Sequence, residues 1–460
     1  MLGLLATYLV VLTGALVAFR KPVYGLFIYV GLSVLRPEAL WGWAGDLQNQ
    51  SRIVGIPVLI GWAFQGFGSW QFGRARAIVI SLLLYSLWLV LSAMQAFDPT
   101  VSWKVVVEFS KTLLPFLVGV TLIKTEKEAR RLLWVIVITQ GYVCLDMNRM
   151  YLEQGYNRPF EEGFGGMDNN SFAISLLTTI GAAFALALSA KTYQAKAIAS
   201  GAMLLLLHTI LLTFSRGAFV GLLAVAVAAI VLMPKRPKYF GAIFVVALIA
   251  FRLTGPELSA RLATTFAPRE ERDGSAESRL SLWTDTLTVV TQEPILGVGP
   301  KNWPRVADRF GWPEGKEAHS VWMQTAAELG VPGVTFLLLF YGLAVKRLWP
   351  IARPRDNTDP QGRVFAVGLI LSLVGFVVSA QFVSLPGLEP PFYITMISAI
   401  VLKCRSLRES APAVSAGMPV RTSAVAVVGI NRPIAVTNPR AIPAGRPRIR
   451  PLQSQSQQKG

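Results

Sequence analysis

The stretch "AIVISLLLYSLWLVLSAM" (77–94) decides the class of fold. It carries no charge and is close to the ~20 residues a helix needs to cross a hydrocarbon core. "FAISLLTTIGAAFALALSA" (172–190) and "GAFVGLLAVAVAAIVLM" (217–233) repeat the pattern. A soluble domain can bury one such helix, but not one after another along the chain. Apolar residues make up 53% of the 460 residues, charged residues only 15%, and the mean hydropathy is +0.49. These observations predict an all-α polytopic membrane protein.

Thirteen candidate spans follow: 2–19, 23–35, 53–68, 77–97, 105–123, 131–147, 171–190, 197–214, 217–233, 239–251, 330–345, 363–382 and 390–403. The second and tenth are short, so about 11–13 transmembrane helices are expected. The first lacks a basic leader and a small-residue cleavage site, and reads as a retained helix. The connections alternate in charge. Basic ones (Arg20/Lys21, Arg74/Arg76, Lys124–Arg131, Lys191/Lys196, Lys235–Lys238, Lys346–Arg363) are interleaved with acidic or balanced ones (36–52, 98–104, 148–170, 252–319, 383–389). Positive-inside bias puts the basic set in the cytoplasm, the amino terminus outside and the carboxyl terminus inside.

The formal net charge of +18 fits this topology better than nucleic-acid binding. The segment from Cys404 onward holds nine Lys/Arg against one acid, Glu409. It shows no apolar periodicity and reads as a disordered, basic cytoplasmic tail. The expected organisation is therefore N-terminal helices (1–147), an outward loop (148–170), further helices (171–251), a large outward loop (252–329), C-terminal helices (330–403) and the tail (404–460). Two scattered cysteines, Cys144 and Cys404, suggest no disulfide.

The chemistry is expected in the two long outward loops. "SAESRLSLWTDTLTVVTQEP" (275–294) reads as an amphipathic helix with Leu280, Trp283, Leu287 and Val290 on its apolar face and Ser275 as N-cap. "ILGVGPKNW" follows, a glycine-rich turn without the Gly-Lys-Ser/Thr of a phosphate loop. Two histidines and two cysteines in the whole chain leave no zinc site to expect, so no metal or other cofactor is predicted.

Positive charge then comes from arginine: Arg216, between two apolar spans in "TFSRGAF", and Arg279, in the first turns of the loop helix. Either can be structural, Arg216 as a helix-end residue and Arg279 as part of a solvated face. His208, in "LLLLHTILL", reads as a core histidine bonded to a neighbouring helix. His319, in "KEAHSVWMQTAAELGVPG" (316–333), is expected in the first turn of a helix that runs to Leu329 and is closed by Gly330 and Pro332. Helix-terminal amides disfavour imidazolium, and a neutral ring can accept a proton. An ordinary capping role is the competing reading. Asp168, Asn169 and Asn170 are suited either to sugar hydroxyls or to helix capping.

Four motifs, "LLTFSRGAFVGLL" (211–223), "SRLSLW" (278–283), "PILGVGPKNW" (294–303) and "AHSVWMQTAAELGVPGVTFLLLF" (318–340), in this order, resemble the O-antigen ligase/polymerase superfamily of bacterial membrane glycosyltransferases. "LSVLRPEALWGWA" (32–44) and "GFGGMDNNSFA" (163–173) resemble its exosortase-associated O-glycosylation ligase branch. The resemblance implies a GT-C-like fold in the bacterial inner membrane and an undecaprenyl-pyrophosphate-linked glycan as donor. It also implies a hydroxyl acceptor on protein, lipid or glycan. By the same resemblance Arg216 and Arg279 bind pyrophosphate and His319 assists the acceptor hydroxyl. A polymerase joining lipid-linked repeat units would use the same residues. A transporter of lipid-linked sugars is a third reading, disfavoured because no internal repeat is visible and the polar residues gather in a loop.

Overall fold

The computed structural model describes residues 2–41, 50–233, 275–353, 359–384 and 388–410, with isolated helical positions 241, 248 and 252. The apolar runs fold as helices because backbone amides inside a membrane must be satisfied within their own segment. In chain order these are α1 (Leu2–Arg20), α2 (Pro22–Leu35), the short α3 (Pro37–Leu40), α4 (Gln50–Phe64), α5 (Arg76–Met94), α6 (Pro99–Leu122) and α7 (Glu126–Gln154). Then come α8 (Arg158–Glu161), α9 (Asn169–Ser189), α10 (Tyr193–Leu212), α11 (Arg216–Leu232), α12 (Ser275–Gln292), α13 (Trp303–Val306), α14 (Val321–Ala352), α15 (Pro360–Ser379) and α16 (Glu389–Ser410). No strand occurs among the described residues; Phe164 and Met167 form one isolated bridge.

The chain is an all-α polytopic membrane protein. By length and composition seven described helices suffice to cross a membrane, and three shorter apolar ones accompany them: Thr7–Arg20, Gln50–Phe64 and Arg216–Leu232. α7 and α16 also fall on expected spans but carry charged ends. The expected span 239–251 lies almost wholly outside the described residues. α16 runs on to Ser410, into the stretch read from sequence as tail; residues 411–460 lie outside the described residues.

Capping residues mark where each helix enters. At one end of the bundle Asp98, Asp168, Ser215 and Ser320 accept backbone amides at the starts of α6, α9, α11 and α14. At the other end Thr125, Thr192 and Asp359 do so for α7, α10 and α15. Each cap satisfies amides a helix start leaves orphaned. α16 is buried along most of its length and packs on α6, α7, α9, α14 and α15. The second end is basic, with Arg76, Lys124, Lys127, Arg130, Arg131, Lys191 and Lys196 at its helix ends. There Arg405 pairs with Glu126 at 3.1 Å and Asp359 at 2.6 Å, and Lys403 donates to the Ile123 carbonyl at 2.7 Å.

The loop between α12 and α14 has its own small core of Leu282, Val289, Trp303, Val306, Ala318 and Ala327. This corrects the expected face of α12. Trp283 and Val290 are partly buried as expected, but Leu280 and Leu287 are exposed, while Leu282, Thr286 and Val289 are buried. The loop returns as its own packing partner and selects a face rotated from the one that sequence periodicity favours. The side chain of Ser275 lies outside the described residues.

α14 breaks at Gly330 (φ 67°, ψ −176°), and the glycine-rich turn docks on the break. Val298 N–H donates to the Ala327 carbonyl (3.0 Å), Gly299 N–H to that of Glu328 (2.9 Å), and Val331 N–H to that of Pro294 (2.8 Å). From α5, Trp88 Nε1 donates to Ile295 O and Leu329 O, and Ser92 Oγ to Leu296 O and Glu328 O. The glycines therefore serve backbone-to-backbone approach, and the amides of Gly297, Val298, Gly299 and Asn302 are already engaged. A Cβ on Gly330 would sit 2.2 Å from the Ile295 carbonyl oxygen. Gly330→Ala is expected to cost more than the about 1–3 kcal/mol of holding a side chain in this glycine-only backbone region. Its signature would be a lower melting temperature in detergent, whereas Gly342→Ala, where a Cβ meets open space, should have no such effect.

Candidate functional site

The end of the bundle that starts α9, α11 and α14 gathers the charged residues singled out from sequence. Arg216 is the first residue of α11, directly after its N-cap Ser215. Phe214, before the cap, takes a left-handed conformation (φ 51°) that turns the chain sharply out of α10. Arg279 lies near the start of α12 and is half-buried. Burial and the neighbouring Arg216 charge pull its guanidinium below its ordinary value. The pKa of an arginine is so high that the group remains a cation. A half-buried arginine whose charge is opposed by a second arginine makes a field suited to an anion.

His319 is not in the first turn of α14, where the sequence places it. Ser320 is the N-cap, its hydroxyl accepting from Met323 N–H at 3.3 Å, and His319 precedes it with φ 51°. The ring is thereby carried by a left-handed residue outside the helix, a conformation uncommon for a non-glycine residue. Its neighbour holds it there: Ala318 O accepts from Trp283 Nε1 (2.9 Å), and Ala318 N–H donates to Gln324 Oε1 (3.2 Å). His319 is half-buried. Burial first, then the charges of Arg279 and Lys316, depress its pKa, with Asp168 opposing them. The ring is thus biased toward the neutral form, as expected, though through burial and neighbouring cations rather than through helix amides.

Asp168 caps α9, one carboxylate oxygen accepting from Ser171 N–H at 3.0 Å. Asn169 Nδ2 donates to Thr213 O (3.1 Å), which ties this cap to the turn carrying Arg216, and Asn170 Nδ2 donates to Asn169 Oδ1 (3.1 Å). The cluster has a structural task, and Asp168 also extends its field to His319 and Glu317. Burial pushes the Glu317 carboxyl up; Lys301 opposes this and Asp168 adds to it. The site therefore draws on three separate parts of the chain: the start of α9, the α10–α11 turn, and the loop from α12 to α14.

His208 is a core residue as expected, with Nδ1 against Asn148 Oδ1 of α7. Sequence reading misses two structural anchors of the loop. Asn302, fully buried, accepts from Asp98 N–H (2.8 Å) and donates to Ser102 Oγ (2.7 Å), fastening the loop to the start of α6. Glu328, 4% exposed, accepts from Gln324 Nε2 at 3.0 Å. An acid inside an otherwise apolar helical run is the available signal for Glu328.

Residues 201–338 match the family model described as O-antigen ligase. The matched region contains Arg216, Arg279, His319 and Glu328; Asp168, Asn169 and Asn170 precede it. No curated protein matches the chain.

Proposed function

From the O-antigen ligase match over residues 201–338 of a multi-pass membrane protein, we propose that the chain moves a glycan from undecaprenyl pyrophosphate to an acceptor hydroxyl on the periplasmic side of the bacterial inner membrane. The observation that carries this reading is the charge of Arg216 acting on Arg279 and that of Arg279 acting on His319, from segments far apart in sequence, at one end of the bundle. That the opposite end is the basic one favours placing the site outside, by the positive-inside rule.

In the proposed reaction the acceptor oxygen attacks the anomeric carbon, and His319 takes the hydroxyl proton. The bond from that carbon to the pyrophosphate oxygen breaks, and the electron pair leaves with the lipid pyrophosphate. Pyrophosphate needs little protonation as it departs, so stabilising its growing charge is the larger task, and arginine forks suit it. Asp168, Asn169 and Asn170 supply hydrogen-bonding groups for sugar hydroxyls. The acceptor is a protein, a lipid core or another glycan.

Deleting the gene and analysing lipid-linked and surface glycans tests this. A ligase loss leaves complete glycans on the lipid carrier. Accumulation of single repeat units would show a polymerase with the same chemistry, and repeat units stranded on the cytoplasmic leaflet would show a transporter.

A further inference from the structure

A buried carboxylate that the reaction above does not use lies one element away from His319. Glu328 is in the first half of α14, before the break at Gly330, and is 4% exposed. A buried acid is costly unless its oxygens are hydrogen-bonded. Here Gln324 Nε2 donates to it at 3.0 Å, and the backbone of Lys301 and Trp303 lies nearby. Gln324, itself 2% exposed, uses its other side-chain atom: Oε1 accepts the Ala318 amide at 3.2 Å. A polar line therefore runs from Glu328 through Gln324 to the residue before His319. It joins the returning end of the loop to the first turns of α14.

We propose that Glu328 and Gln324 are positioning residues that hold His319 in its left-handed conformation outside α14. The proposal rests on the reading of His319 as the proton acceptor. The polarity of the line is directional: Glu328 must accept, and Gln324 must donate on one side and accept on the other. Glu328→Gln would aim an amide N–H₂ at existing donors. Gln324→Glu would set two carboxylates against each other without the donor that Glu328 needs. Exchanging the two residues restores the pattern. The carboxylate, moved to position 324, accepts from Ala318 N–H and from the amide N–H₂ moved to position 328. The oxygen of that same moved amide accepts from the loop backbone.

The experiment compares Glu328→Gln, Gln324→Glu, the double exchange and His319→Ala in purified full-length protein. It measures transfer from a lipid-pyrophosphate-linked glycan to the native acceptor, with size exclusion and thermal melting as checks on folding. Each single exchange is expected to lower kcat by about 10- to 100-fold, the effect of misplacing a catalytic group by roughly 1 Å. KM for the donor should stay unchanged, since the arginines are untouched. The double exchange should recover most of the rate.

The double exchange should also carry a signature that a purely structural contact would not produce. The groups already facing His319 are Arg279, Lys316 and Asp168. A carboxylate moved to position 324, bonded to the Ala318 amide, adds a negative charge beside the ring. It raises the imidazole pKa and moves the acid limb of the pH–rate profile upward. A native rate in Glu328→Gln, or a folded double exchange with no recovery and no upward shift, overturns the proposal. Should the single exchanges fail to fold, the rate and pH limb of the double exchange decide alone. A native rate in His319→Ala overturns the underlying reading of the site, an outcome distinct from either.

Discussion

Replacing His319 by alanine is expected to lower glycan transfer by about 10²–10⁴-fold, the usual worth of a positioned general base. The loss should appear in kcat, because the donor is held by other residues. In the native protein the pH–rate profile carries the sharper test. Transfer requires the neutral ring, and the ring's pKa is depressed by burial and by Arg279 and Lys316 against the opposing Asp168. Activity therefore rises with pH through a limb below the ordinary imidazole range, and full activity extends into mildly acidic solution. Removing one of the depressing charges, by Lys316→Ala, should move the limb to higher pH while leaving the plateau rate in place. A limb that stays put in Lys316→Ala, or that persists in His319→Ala, assigns the titration to another group.

Arg279→Ala and Arg216→Ala are each expected to reduce kcat/KM by about 10²–10³-fold, comparable to removing one preorganised donor from a developing oxyanion. Both guanidiniums would act on one pyrophosphate, so the double variant should lose less than the product of the single losses. Lysine should rescue poorly at either position, because a point charge does not reproduce a bidentate fork. The charge pattern gives the reason for pairing them. Burial and Arg216 both disfavour the Arg279 cation, and an incoming dianion relieves both. Competition by inorganic pyrophosphate is thus expected to weaken in each variant. Equal inhibition of native and variant proteins would remove the arginines from the donor site.

Several features are legible in the residues alone. Uninterrupted apolar runs longer than a soluble helix normally keeps force a membrane class, since length and hydropathy are local properties. The interruption at Gly330 is also readable, because a glycine there is chemistry within a residue of the break it permits. The start of α14, by contrast, is expected at His319 and lies at Ser320. His208 reads correctly as a core residue for a similar reason: one polar ring in a leucine-rich span must find a neighbour.

Other features depend on partners far away in the chain. Periodicity alone puts Leu280 and Leu287 on the inner face of α12, and the neighbouring loop chooses Leu282 and Val289 instead. The glycines of "GVGP" are ambiguous as a string. Their purpose becomes clear only where residues 294–299 cross the backbone of residues 327–331.

By itself, then, the sequence determined that this chain crosses a membrane many times, and which few residues bear charge between strongly apolar runs. Tertiary structure decided that the charge of Arg216 reaches Arg279 and that of Arg279 reaches His319. It also decided that His319 stands outside its helix, next to an Ala318 whose amide is bonded to Gln324. The division has a physical cause. Hydropathy and capping act over a few residues, whereas a field shared by several ionised groups exists only after the chain has paid the entropy of closing long loops between them.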